Sequence, residues 1–189
     1  MKAHGNIIGW FGSEGMGAYR QFVREVPYGG TIVECGAWLG KSSAFLCDIA
    51  KKDHKIFIVD HWLGSESERE THHIAAAHED LYSRFLENMG NRNFTPLKGD
   101  ATELSKQFED NSIDLVIIDM EHTYQAVKND IRTWLPKVKH GGYLIGDDYN
   151  EGWFPGVVRA VNELLPERRV HKKRYWAVRK GHKGTIPLI

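Results

Sequence analysis

Apolar residues along this chain fall into two alternating patterns. Short continuous or near-continuous runs, the mark of buried strands, are separated by longer stretches in which apolar positions recur every third or fourth residue, the mark of helices packed on one face. Thr31-Ile32-Val33-Glu34-Cys35 is the first run, entered from the turn signal Tyr28-Gly29-Gly30. A helical stretch over Lys41 to Lys52 follows it, and then a second run, Ile56 to Asp60. Leu81, Phe85 and Met89 recur every fourth position within a helix expected over Ala77 to Met89. Phe94 to Lys98 is a weaker strand, and Asp114 to Asp119 is the most continuous apolar run of the chain. Tyr124 to Leu135 is a helix stopped by Pro136, and Gly141-Gly142 opens a strand over Tyr143 to Ile145. Beyond Pro155, a helix over Val157 to Leu165 precedes a tight hairpin, with Val170 and Tyr175 to Val178 joined around Lys172–Arg174.

Alternating strands and helices connect through right-handed crossovers and give a parallel sheet covered on both faces, to which the hairpin adds an antiparallel strand. Ligands of such sheets bind outside the carboxyl ends of the strands. Asp60, Asp100, Asp119 and the pair Asp147-Asp148 all fall at those ends. The acidic edge is therefore the expected active face.

The 189 residues fit one domain, taken as 1–189, with 41% hydrophobic and 26% charged residues, which excludes a disordered or collagen-like chain. No apolar run approaches the roughly 20 residues of a membrane span, and the first residues lack the apolar stretch of a secretory signal. Cys35 and Cys47 stand outside any CxxC arrangement, which argues against a disulfide framework and for a cytoplasmic setting. Lys plus Arg and Asp plus Glu both number 25, so the formal charge is zero. That zero is uneven. Residues 159–183 carry nine basic and two acidic side chains, leaving the rest of the chain at −7. A nucleic-acid edge is conceivable for the basic tail, but a solvated edge hairpin is the favoured reading.

Between the first strand and first helix lies Glu34-Cys35-Gly36-Ala37-Trp38-Leu39-Gly40. Its ExGxxxG spacing differs from the GxGxxG of diphosphate-binding loops, which argues against a nicotinamide dinucleotide. An acid beside the glycines suits an ammonium, and Asp60, ending the second strand, suits a ribose diol. A ligand with a ribose, an amino group and no phosphate is S-adenosylmethionine. Asp119, Asp147 and Asp148, from the ends of adjacent strands, repel one another unless a cation lies between them, and all-oxygen ligands favour Mg²⁺, with Ca²⁺ or Mn²⁺ as substitutes. His122 is the candidate base, with Asp119 sharing that role.

These stretches, with Gly9-Trp10-Phe11, Gly99-Asp100-Ala101, the DxxHxY element Asp119-Met120-Glu121-His122-Thr123-Tyr124, Asp130 and Gly156 to Val161, resemble the class I S-adenosylmethionine-dependent methyltransferases over about residues 7 to 180. The likeness is nearest to the small-molecule O-methyltransferases that include macrocin-type and cephalosporin-hydroxylase-like proteins. The resemblance implies a Rossmann-like, seven-stranded, mostly parallel α/β sheet with helices on both faces and the last strand antiparallel. It implies that Glu34, Gly36 and Ser42 hold the methionine part, with Ala37, Trp38 and Gly40 of the same loop also binding the cofactor. Asp60 and Trp62 would hold the ribose, Asp100 and Ala101 the adenine, and Asp119 would touch the cofactor. The acceptor would be a small-molecule hydroxyl, with a divalent ion assisting. Residues 61–78 depart from the pattern and are expected to form a substrate lid; His72, His73, His78 and Glu79 also invite a transition-metal reading, against which their spacing argues. Rival readings are a nucleic-acid methyltransferase, which lacks its usual Asn/Asp-Pro-Pro-aromatic element here, and a non-catalytic S-adenosylmethionine-binding module. Self-association is left open.

Overall fold

Seven strands form one sheet in the order β3-β2-β1-β4-β5-β7-β6 in the computed structural model of the chain, which describes residues 2–64 and 80–181. The strands are β1 (Thr31–Cys35), β2 (Lys55–Asp60), β3 (Thr95–Lys98), β4 (Ile113–Ile118), β5 (Val138–Gly146), β6 (Arg169–His171) and β7 (Tyr175–Arg179). The first five pair in parallel, while β7 runs antiparallel to both β5 and β6. The chain steps outward from β1 through β2 to β3, then returns to build β4 and β5 on the other side. The crevice at this reversal lies between the carboxyl ends of β1 and β4.

Strand periodicity divides the core between two faces. Ile32 of β1, Ile58 of β2 and Leu115 and Ile117 of β4 pack under α1 (Ser13–Val23), α2 (Lys41–Ile49) and α3 (Leu81–Met89). Val33, Cys35, Val59 and Val116 point the other way, into a second core. That core is closed by α4 (Ala101–Ser105), α5 (Tyr124–Trp134) and α6 (Pro155–Leu164). No helix among the described residues is long and apolar enough to cross a membrane.

Two helices lie outside the sequence expectations. In α1, Gly15, Ala18, Tyr19, Phe22 and Val23 are buried, a helical stripe masked by glycines at 12, 15 and 17, which lower intrinsic helix propensity. α4 is five residues long, too short for a periodic signal, and Asp100 caps it by accepting from the Glu103 N–H. Strand β5 begins five residues before the expected Tyr143, and its pairing with β4 shifts register between Ile113 and Leu115. Gly141 absorbs that irregularity with φ +83°, a backbone conformation that glycine adopts without strain. The helix expected from Ala77 is described from Leu81, where Asp80 caps it. The expected lid over 61–78 lies largely outside the described residues, as do His72, His73, His78 and Glu79.

Candidate active site

The loops after β1, β2, β4 and β5 meet at one edge and are laced together by backbone hydrogen bonds. Gly36 N–H donates to the Val59 carbonyl, Asp119 N–H to Cys35 and Asp147 N–H to Ile118. Gly36 has φ +93°, and a Cβ there would lie 2.5 Å from the Asp119 carbonyl carbon and closer still to its oxygen. The glycine is thus required both by its dihedral and by the contact between the first and fourth loops. Three non-glycine residues of these loops also have left-handed backbones: Trp38, Trp62 and Asp148. Such strain persists only where surrounding structure enforces it, and it concentrates at functional sites.

Asp60 enforces it for the first two. Its Oδ2 accepts from the N–H groups of Ala37 (2.7 Å) and Trp38 (2.9 Å), and its Oδ1 accepts from Trp62 N–H (2.6 Å). The Trp62 indole Nε1 donates to the Trp38 carbonyl at 3.0 Å, and the Trp38 ring stacks on Trp10 at 4.8 Å. Asp60, expected to receive a ribose, is therefore first a clamp on the glycine loop. A carboxylate oxygen has two lone pairs, so Oδ1 keeps one acceptor position. Trp62 is buried and Trp38 is partly exposed on the loop crest.

Glu34 departs from its expected position. Strand alternation turns it onto the α1–α2 face, where it is fully buried. Tyr19 donates to its Oε1 at 2.8 Å, and Ser43 donates to its Oε2. Burial raises its pKa against the lowering effect of those hydroxyls and of Ser42. Both oxygens serve the core beneath the loop, so Glu34 supports the site from below and does not face an ammonium. Ser42, at the start of α2, is buried beside it. Gly40 lets the helix begin with φ +87° against the Phe85 ring. Asp100, expected at an adenine, caps α4 through Oδ1, with Ala101 as the first helical residue.

At the other side of the crevice the tandem acids Asp147 and Asp148 part company. Asp147 is buried and bound in a two-point ion pair by Arg174, with Nε to Oδ1 at 2.5 Å and Nη2 to Oδ2 at 2.8 Å. It is therefore unavailable as the metal ligand expected from its position. Asp148, turned by its φ of +59°, faces His122 instead, with Oδ2 at 2.9 Å from Nε2. Asp119 Oδ1 lies 3.9 Å from the same nitrogen. Ligand atoms of Asp119, His122 and Asp148 all lie within 4.8 Å of one another. Burial alone would depress the His122 pKa, but the two carboxylates outweigh it and push it up to about 10. The ring is thus held protonated as it stands, which disfavours it as a neutral-pH base. Asp119 is pushed up by burial and by the charges of Asp147 and Asp148, against the lowering contact with His122.

Arg174 and Tyr19 are site residues outside the sequence expectations. The tight turn gives no hint that Arg174 faces Asp147, which follows from the pairing of β5 with β7. Tyr19 is detectable in the spacing of the α1 stripe.

Another acid, within the Tyr124–Trp134 helix, supplies a stability test. Burial, then the charges of Asp100 and Glu121, raise Asp130 on α5 to about 7. An unfolded aspartate titrates near 3.9, so the folded state holds the extra proton between those values and loses stability as pH rises from about 4 to 7. Asp130→Asn should be more stable than the parent by about 1–3 kcal/mol above pH 7, with the advantage vanishing below about pH 4. Urea midpoints at pH 4, 6 and 8 measure this; a constant offset across them would contradict it.

Residues 33–149 match the family described as "Methyltransferase domain". Protein R132 of Acanthamoeba polyphaga mimivirus is 40% identical over 63 residues, 33% of this chain and 28% of that protein. Protein y4gI of Sinorhizobium fredii is 34% identical over 124 residues, 62% of this chain and 13% of its own length. The matches thus span well under a third of these relatives. Among solved structures, the O-methyltransferase NovP aligns with a TM-score of 0.63 at 20% identity, covering 90% of this chain and 81% of its own. The O-methyltransferase from Bacillus cereus, in complex with S-adenosylhomocysteine (SAH), aligns with a TM-score of 0.58 at 18% identity, covering 94% and 86%. Those identities speak to a shared fold. The family match runs from β1 through the loop that carries Asp148, more than half of the sequence, and the chain belongs to the methyltransferase-domain family.

Proposed function

We propose that the chain is an S-adenosylmethionine-dependent O-methyltransferase that acts on a small-molecule hydroxyl with a divalent ion at the Asp119–His122–Asp148 group. The observation that carries the metal assignment is His122 Nε2. It is buried between two carboxylates, 2.9 Å from Asp148 Oδ2 and 3.9 Å from Asp119 Oδ1, so three potential ligand atoms converge on one point. Two carboxylates and an imidazole so placed fit Mn²⁺ or another transition ion better than Mg²⁺, whose ligands are oxygens.

When bound, S-adenosylmethionine supplies an activated methyl group with its own leaving group, and the ion lowers the pKa of the acceptor hydroxyl. The rest falls to the chain. The Gly36–Gly40 loop, fixed by Asp60, offers a close backbone approach to the methionine part, and the free lone pair of Asp60 Oδ1 accepts a ribose hydroxyl. Asp119 and Asp148 orient the acceptor oxygen, whose proton passes to this acidic group as the new carbon–oxygen bond forms. Phe154, 4.5 Å from the His122 ring, shields that side from water.

Calorimetry on the full chain tests this in two arms. SAH should bind and NAD⁺ should not; the reverse would overturn the cofactor assignment. Mn²⁺ should bind the parent, with affinity falling about tenfold or more in His122→Ala and Asp148→Asn. Unchanged Mn²⁺ affinity in both variants would remove the ion from the mechanism.

A further inference from the structure

Three residues, Lys172 to Arg174, join β6 to β7, whose register pairs His171 with Tyr175. Arg174 N–H donates to the His171 carbonyl at 3.0 Å, and the central residues Lys172 and Lys173 have φ +52° and +57°. These are the φ signs of a type I′ turn, whose central positions strongly favour Asn-Gly because both require a left-handed backbone. Lysine there costs about 1–2 kcal/mol per residue in backbone strain. Two consecutive lysines against that preference mark a place where local rules yield to something else.

Position suggests what. The register pairs Gly146 of β5 with Trp176 of β7, so this turn projects at the same edge as the carboxyl ends of the parallel strands. Tyr149 N–H donates to the Arg174 carbonyl at 2.8 Å, which seats the turn beside Asp148. Arg174 is held by Asp147 and lies 3.6 Å from Asp148, whereas Lys172 and Lys173 are exposed and have no ion-pair partner among the described residues. An anionic acceptor approaching this crevice would be repelled by Asp119 and Asp148 unless a complementary charge lay nearby. Two consecutive lysines supply two positive charges at this turn, which match the multiple charge of a phosphate or diphosphate better than the single charge of a carboxylate.

We infer that Lys172 and Lys173 form an anion subsite that holds a phosphate or diphosphate group of the acceptor, so that the substrate is a phosphorylated hydroxyl compound. This rests on the methyl-transfer reading above for the word acceptor, though not for the anion site itself. The probe is inorganic pyrophosphate, titrated calorimetrically into the full chain in the presence of EDTA so that no divalent ion bridges the anion. The comparison is Lys172→Asn/Lys173→Gly, which restores the favoured turn. Pyrophosphate should bind the parent, with acetate at least tenfold weaker, and the double variant should lose pyrophosphate affinity about tenfold or more while its melting temperature holds or rises. Equal pyrophosphate affinity in parent and variant, no binding to the parent at 10 mM, or acetate binding as tightly as pyrophosphate would each overturn the subsite. Tight binding of a 12-nucleotide RNA without measurable pyrophosphate binding would overturn it too, in favour of a polynucleotide surface. SAH titrated into the same samples keeps the two ideas apart. Loss of SAH binding from the parent counts against methyl transfer and leaves the pyrophosphate comparison to decide the subsite.

Discussion

Replacing Gly36 by alanine is expected to destabilise the fold by more than about 4 kcal/mol, enough to prevent accumulation of folded protein near 37 °C. Two effects combine. The left-handed φ of +93° strains any side chain, and the added Cβ would stand 2.5 Å from the Asp119 carbonyl carbon. The obstacle is backbone at the end of a fully buried strand, so no rotamer change can relieve it. Equilibrium denaturation is the measurement, with SAH binding as a second readout on any folded fraction. Gly141→Ala serves as the control, because Gly141 also has a positive φ, at +83°, yet only the far end of the Arg179 side chain comes within 4 Å of where a Cβ would stand. It should lose only about 1–2 kcal/mol. Comparable losses at the two glycines would show that dihedral strain alone matters and that the contact between the first and fourth loops does not.

The second large effect is expected at Arg174. Removing its guanidinium by Arg174→Met leaves Asp147 with a buried carboxylate and no countercharge, a situation that costs about 3–5 kcal/mol for a fully buried pair. The Arg174 side chain is 36% exposed, so water softens the loss to about 2–3 kcal/mol. Pairing that variant with Asp147→Asn closes a double-mutant cycle. The second substitution should restore much of the stability, since a neutral amide needs no countercharge. If Arg174→Met and Arg174→Met/Asp147→Asn were equally unstable, the guanidinium would act through packing on β7 and not through its charge.

Much of the architecture is visible in the chain before any folding is considered. The apolar runs 31–35 and 114–119, the punctuating glycines and the acids at the run ends all report local preferences with periods of two or of about 3.6, and these survive into the structure within a residue. α1 is the exception among the longer elements, because its glycines hide a stripe whose spacing is otherwise regular. The candidate site is less visible. Asp147 and Asp148 look equivalent on paper, and Glu34 and Asp60 look like two acids awaiting a ligand.

Along the chain itself one can read which residues reach the active edge, because strand length and the position of each loop are local properties. Which partner each of those residues meets depends on pairings across the sheet that have no local signature. β7 returns antiparallel to β5 and brings Arg174 to Asp147 in a two-point pair, while Asp148 lies between His122 at 2.9 Å and Arg174 at 3.6 Å. The side-chain period of two turns Glu34 toward Tyr19 of a helix formed earlier in the chain. The Asp60 carboxylate meets backbone N–H groups of a loop more than 20 residues upstream. A buried charge is governed by its nearest counterpart in space, and that counterpart is chosen by strand order and register, which only the assembled sheet defines.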